Sequence, residues 1–396
     1  MRNGREVFLA APARTPIGKF GGSLSSFTAP ELGTFAAKAA IHRAGIETDQ
    51  IDEVIFGHAR QAGTGPNPAR QIAHNSGCPH AVPAYTINKA CASGMKAIVS
   101  AYQAIVLEDA ELILAGGTES MSNTPYFLPR ARWGYRLGHA ELVDGMYRDG
   151  FMCPLCAEVM GSTAENLAEK YGITRKEADE YALTSQQKYE QANSSQRFED
   201  EIAVIEYQDR KGHSLKIASD EHPRPQTTLE GMAKLKPVFR ENGTVHAGNA
   251  SGITDGAAAV MVISKEKAHE LNIQPLSQIV DYSVAGVDPA IMGIGPVPSI
   301  QKLLKRNRLN LKDIDLIELN EAFAVQVLAC HRELNFDMEK VNVNGGAIAL
   351  GHPIGCTGTR IVVTLLHEMV KRGANLGLAT LCVSGGMGMS LLLKRV

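Results

Sequence analysis

The chain has 396 residues, more than one small core can organise, so two or three domains or one large duplicated unit are expected. Hydrophobic residues make up 44% and charged residues 21%, the balance of an ordinary globular protein. The formal net charge is −2 and no long Lys/Arg run appears, which leaves nucleic-acid or anionic-membrane binding without electrostatic support.

Apolar strand-like runs alternate with helical patterns from the start. Strands are predicted near Val7–Ala11, Val54–His58, Tyr85–Asn88 and Leu112–Gly116, with helices near Ala29–Ala44, Ala69–Ser76 and Ser93–Leu107. Val7–Ala10 is too short for a secretory h-region, and no uninterrupted apolar segment reaches the roughly 18 residues of a membrane span. From Ser122 to Asn249 the pattern breaks into Pro, Gly and polar stretches, with amphipathic helices at Thr163–Tyr171 and Arg175–Gln191. A strand resumes at Ala257–Ser264. Further strands follow near Gln278–Val284, Leu316–Leu319, Val341–Val343, Leu378–Val383 and Met389–Leu393. Helices fit near Ile300–Arg306, Ala322–Glu333 and Gly355–Val370. The order β-α-β-α-β-α-β-β thus runs twice. A first half (residues 1–121 plus 250–275) carries an inserted segment (122–249), and a second half spans 276–396. Such α/β alternation predicts mostly parallel sheets covered by helices, with the site at the carboxyl ends of strands.

Seven scattered cysteines, an odd count, argue against a disulfide framework and for a reducing cytoplasm. Cys153 and Cys156 have CxxC spacing with no second pair near, and a coincidental pair and a redox or metal role both stay open. The C-terminal Leu393-Lys394-Arg395-Val396 carries no peroxisomal or ER signal. No metal constellation appears, no GxGxxG follows the first strand, and no GxSxG elbow is present.

Four residues stand where this fold would place chemistry. Cys91 lies between a strand and the small-residue helix opening Ala92-Ser93-Gly94, where free N–H groups and the helix dipole favour thiolate. A small buried hydrophobe is the competing reading. His352 sits in the glycine-framed loop Asn344–Gly355 before the matching helix of the second half. Cys382 ends a strand and enters Val383-Ser384-Gly385-Gly386, as a second thiol acid or base or as a buried strand residue. Asn320 ends the strand Leu316–Leu319, where an N-cap is the plain alternative.

Taken together, these segments resemble the thiolase family along nearly the whole chain. The resemblance is carried by Arg14-Thr15-Pro16-Ile17-Gly18, Asn67-Pro68-Ala69-Arg70-Gln71, Asn88-Lys89-Ala90-Cys91-Ala92-Ser93-Gly94 and Gly116-Gly117-Thr118-Glu119-Ser120. It continues through His222-Pro223-Arg224, Gly248-Asn249-Ala250-Ser251-Gly252, Asn320-Glu321-Ala322-Phe323 and Gly351-His352-Pro353-Ile354-Gly355 to the Cys382 loop. The resemblance implies a five-layered α-β-α-β-α core of two stacked halves with an inserted loop domain.

It implies that Cys91 is the nucleophile that holds the acyl group, His352 its base and Cys382 the second acid/base. Asn320 would hold a water that acts with His352 on the thioester oxygen, and the backbone N–H groups of Cys91 and Ser384 would form a second oxyanion hole. Ser251, Met160, His222, Arg224, Leu229, Ala250, Phe239, Ala322 and Phe323 would line the coenzyme A thioester site. The partners would be acetyl-CoA, acyl-CoA and CoA as substrates, with no separate cofactor and no metal, in a homodimer or homotetramer. Position 384 is Ser where the family usually has Gly, which would add roughly 1 kcal/mol of strain if a positive φ were required. Val159 stands where short-chain members tend to carry His and makes the acyl end more apolar. Cys356, close in sequence to His352, reads as packing. Two rivals are a ketoacyl-synthase-like condensing enzyme and a non-catalytic acyl-CoA-binding protein on the same fold.

Overall fold

The computed structural model describes residues 5–208 and 211–396; residues 1–4, at the start of the first half, and 209–210, in the inserted segment, lie outside the described residues. The first half contributes strands β1 (Val7–Arg14), β2 (Glu53–Gly57), β3 (Ala84–Ile87), β4 (Leu112–Ser120) and β5 (Thr254–Ser264). The second contributes β6 (Ser277–Gly286), β7 (Leu316–Leu319), β8 (Leu376–Val383) and β9 (Met387–Arg395). Helices α1 (Ala29–Ala44), α2 (Pro68–Asn75) and α3 (Ser93–Val106) belong to the first half. The inserted segment carries α4 (Met160–Tyr171) and α5 (Arg175–Ser194). The second half carries α6 (Pro296–Asn307), α7 (Ala324–Leu334) and α8 (Ile354–Arg372).

The strands form one path, β7-β8-β9-β6-β1-β5-β4-β2-β3. Cut between β6 and β1, it reads as one order repeated. The first half runs β3-β2-β4-β5-β1. The second runs Val341-β7-β8-β9-β6, with Val341 bridging Ile317 in parallel where β3 stands in the first. The predicted strand Val341–Val343 is reduced to that bridge because Asn342 adopts φ 45 and breaks the extended chain. The halves join edge to edge at Phe8–Gln278 and Leu9–Ser277.

The expectation of mostly parallel sheets is corrected. Among the described strands, parallel ladders join β2 with β3, β2 with β4 and β7 with β8, while β1–β5, β1–β6, β4–β5, β6–β9 and β8–β9 are antiparallel. The tight turn at Ser384–Gly386 explains β8–β9, since a short connection returns the chain antiparallel.

Alternation along the strands sets the layers. Val7 and Leu9 of β1 face a central cluster with Met95 and Ile98 of α3 and Ile361 and Leu365 of α8. Phe8 and Ala10 face an outer cluster with Leu32 and Ala36 of α1. Across the molecule, Met389 and Leu391 of β9 face the central cluster, and Leu392 faces Leu303 of α6 and Val327 of α7. Helices therefore cover both outer faces, and α3 and α8 form the middle of five layers. Among the described residues no helix is long and apolar enough to cross a membrane.

The middle helices approach through glycine. A Cβ on Gly94 would lie 2.5 Å from Thr359 Oγ1, and one on Gly358 would lie 2.4 Å from the Met95 nitrogen. Gly94→Ala is therefore expected to destabilise the fold by about 1–3 kcal/mol through overpacking. Urea denaturation followed by tryptophan-independent far-UV circular dichroism checks this, and an unchanged midpoint would contradict it.

Candidate active site

Cys91 stands in the turn from β3 into α3, and the turn is tightly pinned. Ser93 Oγ accepts from the Lys89 N–H at 2.8 Å and donates to the Ala90 carbonyl at 2.6 Å. Ala90, just before the cysteine, adopts φ 45, the left-handed region that is costly for a non-glycine residue. The turn thus directs the thiol into a cavity of about 550 Å³ whose wall also contains His352, Cys382 and Ser384. Residues from distant stretches of both halves meet there.

The expected thiolate at Cys91 is corrected. Burial pushes the Cys91 thiol above its ordinary range. The Ser384 N–H, the positive charge of Arg60 and the cysteine's own N–H pull the other way but do not prevail. In the resting site Cys91 therefore carries its proton and needs a base. The converging N–H groups of Cys91 and Ser384 both reach that sulfur. Ser384 carries no strain, because the positive φ angles fall on Gly385 (87°) and Gly386 (83°).

His352 precedes α8, and its N–H donates to the Gly252 carbonyl at 3.0 Å. Its Nδ1 lies 2.6 Å from Thr357 Oγ1, and that hydroxyl donates to the Pro353 carbonyl at 3.0 Å. With its proton committed, Thr357 can only accept, so Nδ1 carries the imidazole hydrogen and Nε2 holds the lone pair. Nε2 is buried with no protein partner. Burial, helped by the charges of Arg360 and Arg60, pushes the His352 pKa down to about 3. The ring is a neutral base at neutral pH.

Cys382 is fully buried on β8 and packs with Cys153, Met160, Met292 and Ala322. Its thiol is driven far up, first by burial and then by Cys91, and so keeps its proton. The CxxC pair lies close to it. Cys153 hydrogen-bonds Cys156, and both are free thiols. Cys356 is buried against Ala258 and Val363, as packing.

Met160, His222, Arg224, Phe239, Ala250, Ser251, Ala322 and Phe323 all line the same cavity, as does Val159. Two segments are stitched into one wall: Ser251 N–H donates to the Ala322 carbonyl at 3.0 Å, and Ala324 N–H to that of Asn249 at 2.9 Å. Gly161 permits the Phe239 ring, since a Cβ there would lie 2.3 Å from it. Leu229 is not in the wall; it opens the short helix Leu229–Ala233, whose Thr228 cap accepts from Gly231 N–H at 3.1 Å. Asn320 is not in the wall either. Its N–H is tied to the Thr380 carbonyl at 3.0 Å, and its buried amide has neither nitrogen nor oxygen partnered.

Sequence reading gave no role to His58, Arg60 and Glu119. Glu119 is fully buried, pairs with His58 at 2.9 Å and accepts the N–H groups of Ala59 (3.2 Å), Arg60 (3.1 Å) and Gly355 (2.8 Å). It ties the loop after β2 to the start of α8. The acid in the Gly-rich end of a buried strand was the available signal, because an unpaired carboxylate there would be prohibitive.

Residues 7–266 match the family model for the thiolase N-terminal domain, and residues 273–395 that for the thiolase C-terminal domain. The chain is 53% identical to an acetyl-CoA acetyltransferase of Pseudomonas aeruginosa, covering 99% of this chain and 100% of that one. It is 48% identical to a probable acetyl-CoA acyltransferase of Staphylococcus aureus, covering 98% and 99%. The crystal structure of human mitochondrial 3-ketoacyl-CoA thiolase superposes with TM-score 0.96 at 46% identity, over 99% of each chain. The Bacillus anthracis acetyl-CoA acetyltransferase superposes with TM-score 0.97 at 48% identity, again over 99% of each. Matches of this extent define an acyltransferase. The chain belongs to the thiolase family.

Two outcomes follow from the imidazole. With the His352 pKa near 3, it stays neutral as pH falls through the ordinary histidine midpoint of about 6.5, so the rate of Cys91 acylation is expected to show no histidine step there. A rate halving near that midpoint in a pH series would contradict it. Thr357→Val removes the hydroxyl that fixes the tautomer, and Cys91 carbamidomethylation by iodoacetamide is expected to slow by roughly 10–100-fold, as for other partners that orient a working histidine.

Proposed function

We propose that the chain cleaves 3-ketoacyl-CoA with CoA to acetyl-CoA and a shortened acyl-CoA, and in reverse condenses two acetyl-CoA to acetoacetyl-CoA. The observation that carries this is the convergence of two protonated thiols and one neutral imidazole on a single cavity. A human mitochondrial 3-ketoacyl-CoA thiolase solved in complex with CoA has TM-score 0.95 to this chain at 46% identity, which supports a CoA thioester as the ligand.

His352 Nε2 takes the Cys91 proton as the sulfur attacks the C3 carbonyl of the 3-ketoacyl thioester. The N–H groups of Cys91 and Ser384, already directed at the sulfur, receive the oxygen of the tetrahedral intermediate. The C2–C3 bond then breaks. Its electron pair passes to the acetyl-CoA enolate, which is protonated by Cys382, leaving an acyl group on Cys91. The proton on His352 then returns to Cys382, which restores both groups. CoA enters, its thiol gives its proton to His352 Nε2, and its sulfur attacks the acyl-Cys91 carbonyl. The bond from the acyl carbon to Cys91 sulfur breaks, acyl-CoA leaves, and the proton held on His352 goes to the Cys91 sulfur. Splitting the reaction at the acyl-enzyme requires two proton carriers, and burial leaves the cavity with two that differ in kind. The unpartnered Asn320 amide supports a water bridge to the thioester oxygen beside His352.

The wall of Ser251, Phe239, Met160 and Phe323 suits the pantetheine arm, and Arg224, His222 and Lys19 supply positive or polar groups to the same cavity. Val159 in the wall supports acyl groups longer than acetyl.

Acetyl-CoA is expected to leave a labile acetyl group on Cys91, detected by mass spectrometry. Cys382→Ser is expected to keep that adduct while losing roughly 10²–10⁴ in thiolysis and condensation rate, the ordinary worth of a positioned acid/base. An adduct elsewhere, or equal loss of both half-reactions in the Cys382 variant, would overturn the assignment of roles.

A further inference from the structure

The mechanism above leaves one buried cation unexplained. Arg60 is 7% exposed and lines the same cavity as Cys91. Its Nε is buried with no hydrogen-bond partner. The carboxylates that feel its charge are engaged elsewhere: Glu119 with His58 at 2.9 Å and Asp149 with Arg148 at 2.8 Å. The guanidinium lies against Gly150, where a Cβ would stand 2.7 Å from both Nε and Nη2, so the glycine makes room for it.

A second hollow of about 290 Å³ shares Arg60 with the first and is lined also by Gln61, Asn88, Thr124, Phe127 and Asp149. Among the described residues the Thr124 hydroxyl, too, is buried without a partner. Where the two hollows meet at Arg60 the lining is therefore mostly polar, and its one carboxylate, Asp149, is already held by Arg148. An apolar acyl chain would leave that cation and that hydroxyl unsatisfied, whereas a carboxylate would pair with the planar fork of the guanidinium.

We infer that Arg60 receives the terminal carboxylate of a short 3-ketoacyl thioester, so that the preferred substrate is a dicarboxylic 3-ketoacyl-CoA. This deepens the thiolase reading and rests on it. Arg60 acts on specificity at the far end of the acyl group, while the bond broken remains C2–C3.

The test compares two six-carbon substrates that differ only at the terminal carbon, 3-oxoadipyl-CoA and 3-oxohexanoyl-CoA, on the full chain. The native protein is expected to favour the acid in kcat/KM by roughly 10–100-fold, the ordinary worth of a charged hydrogen bond. Arg60→Gln is expected to bring that ratio close to one, and Arg60→Lys, which keeps the charge but not the fork, to leave an intermediate ratio. A native preference for the neutral thioester overturns the inference. So does a uniform loss on both substrates in Arg60→Gln, which would assign Arg60 to the charge balance of Cys91. Failure of the underlying reading looks different: neither thioester is cleaved and Cys91 takes no acetyl group.

Discussion

Two helices from opposite halves meet at their N-termini through glycines, and the site exists because they do. A Cβ on Gly117 would lie 2.3 Å from the Gly355 carbonyl, and one on Gly355 would lie 2.5 Å from that of Thr118. These positions, with Gly94 and Gly358, let α3 and α8 sit back to back beneath β4. Cys91 stands just before one helix and His352 just before the other. Glu119 then fixes the crossing, since one carboxylate holds both the loop after β2 and the Gly355 N–H in the first turn of α8. A buried carboxylate is tolerable only when so fully paired, and four donors meet that demand.

Burial sets the chemistry that follows. In water a thiol and an imidazole hold protons in proportions set by solvent. In this cavity burial penalises the charged forms of the two thiols and the imidazole, so Cys91 and Cys382 rest as thiols and His352 as a free base. In the proposed mechanism charge therefore forms on these groups only when a ligand's oxygen can take it at the N–H groups of Cys91 and Ser384. A thiolate held permanently at the helix end would be exposed to oxidation and alkylation. A proton passed to Nε2 during attack avoids that exposure.

Much of this was legible in the residues because local patterns and global fold agree. The unbroken apolar run of β1 and the helical pattern of Ala29–Ala44 are local signals, and both elements stand where they put them, α1 opened by a Thr28–Glu31 capping box and closed by a left-handed Gly45. Strand direction was not legible, because alternation of strand and helix does not reveal that the inserted segment returns the chain antiparallel to β4. Val341–Val343 failed as a strand on a single left-handed Asn342. At the site, Cys91, His352 and Cys382 were findable because glycines and small residues frame them. Leu229 lies outside the cavity wall, at a capped helix start, and such a start and a ligand contact look alike in sequence. The sign of the Cys91 shift was missed for a deeper reason: helix N-terminus and burial oppose one another, and only the depth of the cavity decides between them.

The inserted segment shows how far the site is built in advance. Arg14, wholly buried at the end of β1, binds Glu201 at 2.6 Å and Asp220 through both terminal nitrogens, at 2.6 and 2.9 Å. Asp220 lies just before His222, whose Nδ1 meets the Ala349 carbonyl at 2.7 Å beside the His352 loop. In the neighbouring segment Asp179 of α5 takes His246 at 2.7 Å and Asn249 at 2.8 Å, which sets the stretch leading to Ala250 and Ser251. Both segments of the proposed thioester channel therefore hang on buried acids anchored to the scaffold. Such pairs contribute little net stability, yet removing one partner costs about 3–5 kcal/mol because the other is left charged and alone. That asymmetry favours a single arrangement over alternatives, so the channel is held open by electrostatic necessity and a thioester enters walls that are already in place.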